Sequence, residues 1–164
     1  MSSFSRAAKT TDEPSPHGTN VVPFTKAKER VRIADFSLPW GEDVIERLNQ
    51  LVGLQYGWDG YGAGPVSFEN AFFALKILER ICNPETPAPQ LVPGSSGDLQ
   101  IEWHEEGGNV ELHVQAPNHV EGWRANDDTG PDGEEARFRS DFTLAATWID
   151  ELAEPVGAPD AKSG

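Results

Sequence analysis

Two stretches of the chain repeat their apolar residues at the spacing of an amphipathic helix. One runs from Glu42 to Val52; the other runs from Ser67, a suitable N-cap, to about Cys82, and Asn83-Pro84 ends it. We expect two helices, each burying one face against a core. The apolar faces consist of Val44, Ile45, Leu48, Leu51 and Val52 in the first helix, and of Phe68, Ala71, Phe72, Leu75, Leu78 and Cys82, widened by Phe73 and Ile77, in the second.

The period changes from helical to two after the proline-rich connector at residues 84–89. Apolar and polar residues alternate in Leu99–His104 and again in Val110–Val114, with Glu105-Glu106-Gly107-Gly108 between them. This pattern predicts a β-hairpin closed by a four-residue loop. One face of the hairpin is then wholly apolar and must be covered by the helices. Its cross-strand pairs are Leu99 with Val114, Ile101 with Leu112, and Trp103 with Val110.

Further strands and a last helix complete the predicted fold. Ser140 or Asp141 caps a helix that runs to about Leu152. The sequence therefore predicts an α+β fold, in which two N-terminal helices and a C-terminal helix pack on one face of a small antiparallel β-meander. The additional strand-like segments are Leu91-Val92, Val120–Ala125 and Ala136–Arg139.

The ends of the chain differ in composition from its middle. Residues 1–25 are rich in Ser, Thr, Pro and small polar residues, so we expect a disordered N-terminal arm. Residues 26–153 form the predicted single domain, and residues 154–164 form a flexible tail. Within the domain, the pattern of residues 26–33 is compatible with a strand, a helix or disorder.

A glycine-rich block, Tyr56–Pro65, lies between the first two predicted helices. Its glycines can adopt positive φ at little steric cost, and its aromatic residues offer flat surfaces with one polar group each. We expect a compact turn in which Trp58 and Tyr61 are at least half buried and the Asp59 carboxylate accepts backbone N–H groups.

This block also carries a resemblance. Gly57-Trp58-Asp59-Gly60-Tyr61-Gly62-Ala63 with the following Pro65, and the later strand Ile101-Glu102-Trp103-His104, resemble small uncharacterised bacterial proteins that share both motifs. The resemblance covers roughly residues 51–114 and implies a bacterial source. It implies no activity and no catalytic residues.

The net charge of −14 is unevenly distributed. Up to Ile33 there are six Lys or Arg residues against three acids, a net +3, so the rest of the chain carries −17. An acidic body disfavours binding to nucleic acid and favours a protein partner of basic or mixed charge. Cys82 is the only cysteine, which excludes an internal disulfide, and its apolar surroundings favour a small buried hydrophobe over a nucleophile.

Several functional classes lack their sequence signatures. There is no apolar run of about 20 residues and no signal-peptide pattern, so we expect a cytoplasmic protein that does not enter a membrane. The glycine-rich phosphate-binding motifs and the Gly-x-Ser-x-Gly motif of hydrolases are missing as well. We expect no catalytic residues, no metal and no cofactor.

The polar side of the predicted hairpin gathers ionisable groups. Glu102 lies opposite Glu111, and Gln100 lies opposite His113, with His104 nearby. Metal binding or acid–base chemistry needs such groups in a concave, partly desolvated place, whereas the outer face of a sheet is usually flat and wet. An exposed polar surface used for recognition fits this pattern better.

Three hypotheses of different class follow. The first is a non-enzymatic protein-binding module, such as an antitoxin, an immunity protein or a chaperone-like adaptor. The second is a small metal-dependent enzyme that uses Glu102, His104, Glu111 and His113. The third is a structural subunit of a bacterial or phage assembly, in which a sheet edge pairs with a second copy. For the first, the predicted partner-binding residues are Glu102, His104, Glu111, His113, Trp58, Asp59 and Tyr61.

Overall fold

The computed structural model describes residues 37–153, which contain three helices and one five-stranded antiparallel sheet. The predicted α+β class is confirmed, with two helices before the sheet and one after it. The predicted arm at residues 1–25, the segment 26–33 and the tail at 154–164 lie outside the described residues. The elements are α1 (Gly41–Val52), α2 (Phe68–Ile81), β1 (Gln90–Pro93), β2 (Leu99–Glu105), β3 (Gly108–Ala116), β4 (His119–Ala125), β5 (Glu134–Phe138) and α3 (Thr143–Leu152).

The sheet is a meander in which each strand pairs with the next along the chain, in the order β1-β2-β3-β4-β5. The register of the β2–β3 hairpin is the predicted one, with Ile101 opposite Leu112. The connection is shorter than the predicted four-residue loop, because Glu105 pairs with Gly108 and only two residues turn. Gly108 has a φ of 138°, and a Cβ there would lie 2.6 Å from the Ala125 carbonyl oxygen, so the close approach of β4 requires glycine.

The core lies between the helices and the apolar face of the sheet. α2 packs against β2, β3, α1 and α3, and its small residues Ala71 and Ala74 are fully buried, which lets the helix approach its neighbours closely. Phe72 was predicted to face this core, but its side chain is exposed and stacks on Phe68 with ring centroids 6.0 Å apart. Ala74 occupies the core side of the helix instead.

The start of α3 differs from its prediction. The N-cap residue is Phe142, which makes no capping hydrogen bond, and neither Ser140 nor Asp141 holds that position. Asp141 still serves the first turn, because its Oδ1 atom accepts the backbone N–H of Thr143 at 2.9 Å and the Thr143 hydroxyl at 2.6 Å. Within residues 37–153, no helix is long and apolar enough to cross a membrane.

The β1 edge of the sheet is protected against the addition of another strand. The Arg47 side chain donates to the Leu91 carbonyl oxygen from Nε at 3.3 Å and from Nη2 at 3.2 Å. That carbonyl therefore already has hydrogen-bond donors from α1. Pro93 at the end of β1 has no N–H to offer. Pairing of a second copy at this edge is disfavoured, so the assembly hypothesis would have to use β5.

Asn70 joins three parts of the fold at the N-terminal end of α2. Its buried amide nitrogen donates to the Gly97 carbonyl at 2.8 Å and to the Gln115 carbonyl at 3.2 Å. The predicted N-cap Ser67 accepts the Asn70 backbone N–H at 3.1 Å and donates its own backbone N–H to Gly97 at 3.0 Å. These bonds fix the β1–β2 turn and the end of β3 against α2.

We expect Asn70→Ala to lower the free energy of unfolding by about 1–3 kcal/mol, because the Gln115 carbonyl loses its side-chain donor in a buried place. Urea unfolding followed by circular dichroism measures this change. Gln50→Ala, which truncates an exposed amide on α1, is the control and should have little effect. Equal midpoints for the two variants would show that Asn70 does not hold these elements together.

Candidate functional site

The helices of the described chain cover one face of the sheet and leave the other face uncovered. We call the uncovered side the polar face; its central residues are Glu102 and His104 on β2 and Glu111 and His113 on β3. Glu102 lies opposite Glu111, and Gln100 lies opposite His113, as predicted. The row of Glu102 and Glu111 continues across the sheet through Trp123 on β4 and Glu135 on β5.

His104 is held between two oxygen atoms. Its Nε2 atom lies 3.1 Å from Glu102 Oε2, and its Nδ1 atom lies 3.0 Å from Asn109 Oδ1. Only the doubly protonated imidazolium can donate to both oxygens. The hydrogen bond to Glu102 raises the pKa of His104, and the bond to Asn109 and the nearby charge of Glu111 act in the same direction.

His113 pairs with a residue that the sequence did not indicate. Its Nε2 atom lies 2.5 Å from Oδ2 of Asp98, in the β1–β2 turn, whose other carboxylate oxygen accepts the Ser96 backbone N–H at 2.9 Å. Burial acts to raise the pKa of Asp98, but the hydrogen bonds from His113 and from Ser96 outweigh it, and the pKa is lowered. Nothing in the local pattern separates this turn Asp from an ordinary solvated one.

Glu111 carries a charge at the centre of this face that has no direct partner among the described residues. Within residues 37–153 its carboxylate makes no hydrogen bond and no ion pair, and the residue lies between Glu102 on one strand and Trp123 on the other. Glu121, in the next row, is compensated, since it accepts a bond from Gln115 at 2.7 Å and lies 3.4 Å from the Arg137 guanidinium. The polar face therefore keeps a local excess of negative charge.

The two histidines of the polar face bind different acids instead of converging on one point. His104 binds Glu102, while His113 binds Asp98 in a different turn. In the described part of the chain, no group of three or more His, Cys, Asp or Glu side chains is placed to hold a metal ion. A site of the kind that the metal-enzyme hypothesis needs is therefore not formed by these four residues.

The β4–β5 loop stands beside the polar face. Trp123 donates from its indole Nε1 to the Asp132 carbonyl at 3.2 Å, and a Cβ on Gly133, whose φ is 70°, would lie 2.6 Å from that indole nitrogen. Gly133 lets the loop fold back onto the tryptophan ring. The Asn126 side chain accepts the backbone N–H groups of Asp128 and Thr129 in a side-chain-closed turn, as expected for a hairpin loop.

The glycine block is ordered by its own polar groups. Oδ1 of Asp59 accepts the backbone N–H groups of Tyr61, Gly62 and Ala63 at 2.9, 3.0 and 3.0 Å, as predicted for this carboxylate. The bonds from Ala63 and Tyr61 lower the pKa of Asp59. Trp58 closes the loop by donating from Nε1 to the Gly64 carbonyl at 2.8 Å.

The predicted burial of the block's aromatic residues is only half right. Trp58 is 37% exposed, so more than half of it is covered, but Tyr61 is 96% exposed and Tyr56 is 81% exposed. The prediction for Tyr61 is wrong because Asp59 and Trp58 already satisfy the turn, so no further aromatic pin is needed. The two tyrosines project into solvent from a loop whose backbone is held in place.

The two groups of predicted binding residues lie on different parts of the fold. Among the described residues, no hydrogen bond or ion pair joins the block at Trp58–Tyr61 to the polar face. Both are attached to the β1–β2 turn, since Gly97 accepts the Ser67 backbone N–H just beyond the block and the next residue, Asp98, holds His113. The turn is a structural link between the two surfaces.

Cys82 is unsuited to nucleophilic chemistry. Burial, with the charge of Asp150 acting in the same direction, raises the pKa of its thiol to about 12. The side chain is partly buried against the core. Cys82 is therefore protonated at neutral pH and acts as a small hydrophobe, in agreement with the sequence-based interpretation.

No protein-family model, no curated protein and no solved structure matches this chain. The resemblance through Gly57–Ala63 and Ile101–His104 remains an expectation and brings no assigned activity. Function must therefore be inferred from the charges and contacts of the surfaces described above.

We expect Asp59→Ala to lower the melting temperature, because three backbone N–H groups lose their common acceptor. The folded-state pKa of Asp59 is lowered, so its stabilising effect is full above the ordinary carboxyl pKa and disappears as pH falls through the lowered value. The gap between wild type and variant should therefore shrink in acid. Thermal unfolding followed by circular dichroism at neutral and acidic pH measures it.

Asp132→Ala is the control for this variant, since it removes the same charge from another loop in which only the backbone carbonyl is engaged. It should leave the melting temperature nearly unchanged. An Asp59→Ala protein that melts like wild type but loses partner binding would show instead that Asp59 contacts the partner directly.

Proposed function

We propose that this protein is a non-enzymatic, acidic protein-binding module that engages a basic or mixed-charge partner through its polar face. The observation that carries the proposal is Glu111, a carboxylate that lies opposite Glu102 and has no hydrogen bond or ion pair within residues 37–153. A cationic side chain arriving there gains a charge-assisted hydrogen bond without displacing a partner already present. It also relieves the repulsion between the two facing carboxylates.

The charge of the domain supports the same partner class. Residues 37–153 contain six Lys or Arg residues against twenty-one Asp or Glu residues. The negative electrostatic potential of the domain therefore attracts a cationic partner before the two proteins touch. The same field repels the phosphate backbone of nucleic acids. An antitoxin, an immunity protein or a chaperone-like adaptor of the cytoplasm fits this mode of action.

The glycine block offers the second part of the binding surface. Tyr56 and Tyr61 are exposed on a backbone fixed by Asp59, so they can bury apolar area on a partner with little loss of conformational entropy. Tyrosines of this kind commonly anchor protein interfaces. We assign charge recognition to the polar face, and apolar contact to the tyrosines with Trp58.

Charge reversal on the polar face tests the proposal. We expect Glu102→Lys/Glu111→Lys to weaken binding by about tenfold or more, because each lost charge-assisted bond is replaced by repulsion. The full chain, used as bait in a lysate of its native host, identifies the partner by mass spectrometry, and calorimetry with the purified partner gives the affinity at low and high salt. Glu111→Lys alone is the safer variant for folding, since Glu111 makes no bond to another described residue.

Glu46→Lys/Glu85→Lys is the matched control, because it makes the same charge change at two exposed positions in α1 and after α2. This control should keep more affinity than the polar-face variant. Wild-type affinity in the folded polar-face variant, at low and at high salt, would contradict the proposal and leave the exposed aromatic residues as the better candidate.

Binding should also strengthen as pH rises through neutrality. The pKa of His104 is raised by Glu102, so the imidazolium offsets one negative charge below that value and loses its proton above it. The face then gains one net negative charge, for which we expect roughly a two- to fivefold gain in affinity between pH 6 and pH 8. Calorimetry across this range measures it.

His104→Gln should reduce this pH dependence, because glutamine does not titrate. His119→Gln, at an exposed histidine at the start of β4, is the control and should keep it. If both variants follow the wild-type pH profile, His104 does not modulate the charge that the partner meets.

A further inference from the structure

Half of the cationic side chains of the described domain line one cleft. Residues 37–153 contain six Lys or Arg residues, and three of them, Lys76, Arg80 and Arg139, surround a cleft of about 280 Å³. The cleft lies between α2, the β3–β4 turn and the segment after β5. None of its described lining residues is acidic. The cleft is therefore positively charged in a domain whose net charge is negative.

The floor of the cleft is apolar and rigid. Phe142 is buried and Ile77 is fully buried, while Phe73 is partly covered and meets Phe142 edge to face with ring centroids 6.1 Å apart. Phe138 stacks on Phe142 from the core side at 5.5 Å. The aromatic floor is therefore fixed by the core beneath it and does not depend on a ligand.

The cations above this floor are largely free to bind an anion. Arg139 makes no hydrogen bond or ion pair within residues 37–153. The Lys76 ammonium has an exposed contact with Glu79 at 3.7 Å and lies 5.9 Å from the centre of the Phe72 ring, and neither contact uses all of its N–H donors. Arg80 donates from Nη1 to the Ser140 carbonyl at 3.2 Å, which positions its guanidinium and leaves further N–H donors for a ligand.

Two acids, Glu79 and Asp141, are adjacent in the chain to residues that line the cleft. Asp141 lines an adjoining cleft of about 330 Å³, and its carboxylate accepts the backbone N–H and the hydroxyl of Thr143. Thr143 thus stabilises the charge of Asp141 locally. Asp141 stays ionised and offsets part of the positive potential, but the residues that line the cleft are themselves net positive, because three are cations and none is acidic.

We infer that this cleft binds a small organic anion in which a carboxylate or phosphate is joined to an aromatic or branched apolar group. The anionic group binds Lys76 and Arg139, with Arg80 as a third donor, since guanidinium and ammonium groups pair well with both oxyanions. The apolar group lies on Phe73 and Ile77. This site is separate from the polar face and takes a ligand of opposite charge to the proposed partner, so either assignment can fail without the other.

Nuclear magnetic resonance of the ¹⁵N-labelled full chain tests the inference with four probes. Benzoate and phenyl phosphate combine an anion with a ring, benzyl alcohol has the ring without the charge, and inorganic phosphate has the charge without the ring. We expect saturable shifts of the amide signals of residues 73–80 and 139–142 with benzoate or phenyl phosphate, and affinities at least about fivefold lower for the other two. Equal binding of all four probes, or shifts elsewhere only, would overturn the inference.

Charge-removing variants identify the groups that bind. Lys76→Gln/Arg139→Gln should weaken binding of the better aromatic anion by about tenfold. Arg137→Gln is the matched control, because Arg137 is two residues away on the same segment but lies opposite Glu121 on the polar face. It should keep the wild-type affinity within about twofold. If the control loses as much affinity as the double variant, general charge and not this cleft determines binding.

Discussion

The need to cover one apolar face of a five-stranded meander organises the described structure. Trp103, Leu112 and their neighbours present a continuous apolar surface, and α2 buries it with α1 and α3 at its sides. The fully buried alanines of α2 allow this close contact. Since the three helices of residues 37–153 all pack on one side, no described element covers the opposite side of the sheet, and most of its side chains are polar. The candidate recognition surface is thus a consequence of one-sided packing.

The domain has an acidic surface and a separate cationic cleft, and ion pairs within each do not neutralise its charge. On the polar face, Glu102 and Asp98 are each paired with a histidine, while Glu111 has no direct partner within residues 37–153. In the cleft beside α2, whose lining is positively charged, Arg139 has no hydrogen bond or ion pair to another described residue. Neither Glu111 nor Arg139 is buried, and neither is bonded to another residue of the described chain. Unsatisfied groups on a fixed scaffold are suited to binding.

Much of the fold follows from periodicities that act within a few residues. Burial of one face of a strand fixes its register, since a slip of one residue would turn every apolar side chain to solvent. The alternation in Leu99–His104 and Val110–Val114 was therefore sufficient to place Glu102 opposite Glu111. The glycines and Asp59 likewise determined a self-closed turn, because that carboxylate bonds to backbone only two to four residues away.

Contacts between distant segments were decided only by the tertiary structure. His113 meets Asp98 because Asn70 ties the β1–β2 turn to α2. The course of that turn cannot be read from the spacing of apolar residues. The exposure of Tyr61 depends on how completely its own turn is satisfied, which composition does not reveal. The cationic cleft joins residues from α2 and from the segment after β5, more than fifty positions apart in the chain. The sequence by itself determined the elements, the hairpin register and the acidic character of the protein, because these depend on local burial and on composition. The long-range partners of side chains depend on the course of turns and on packing, which only the folded chain specifies.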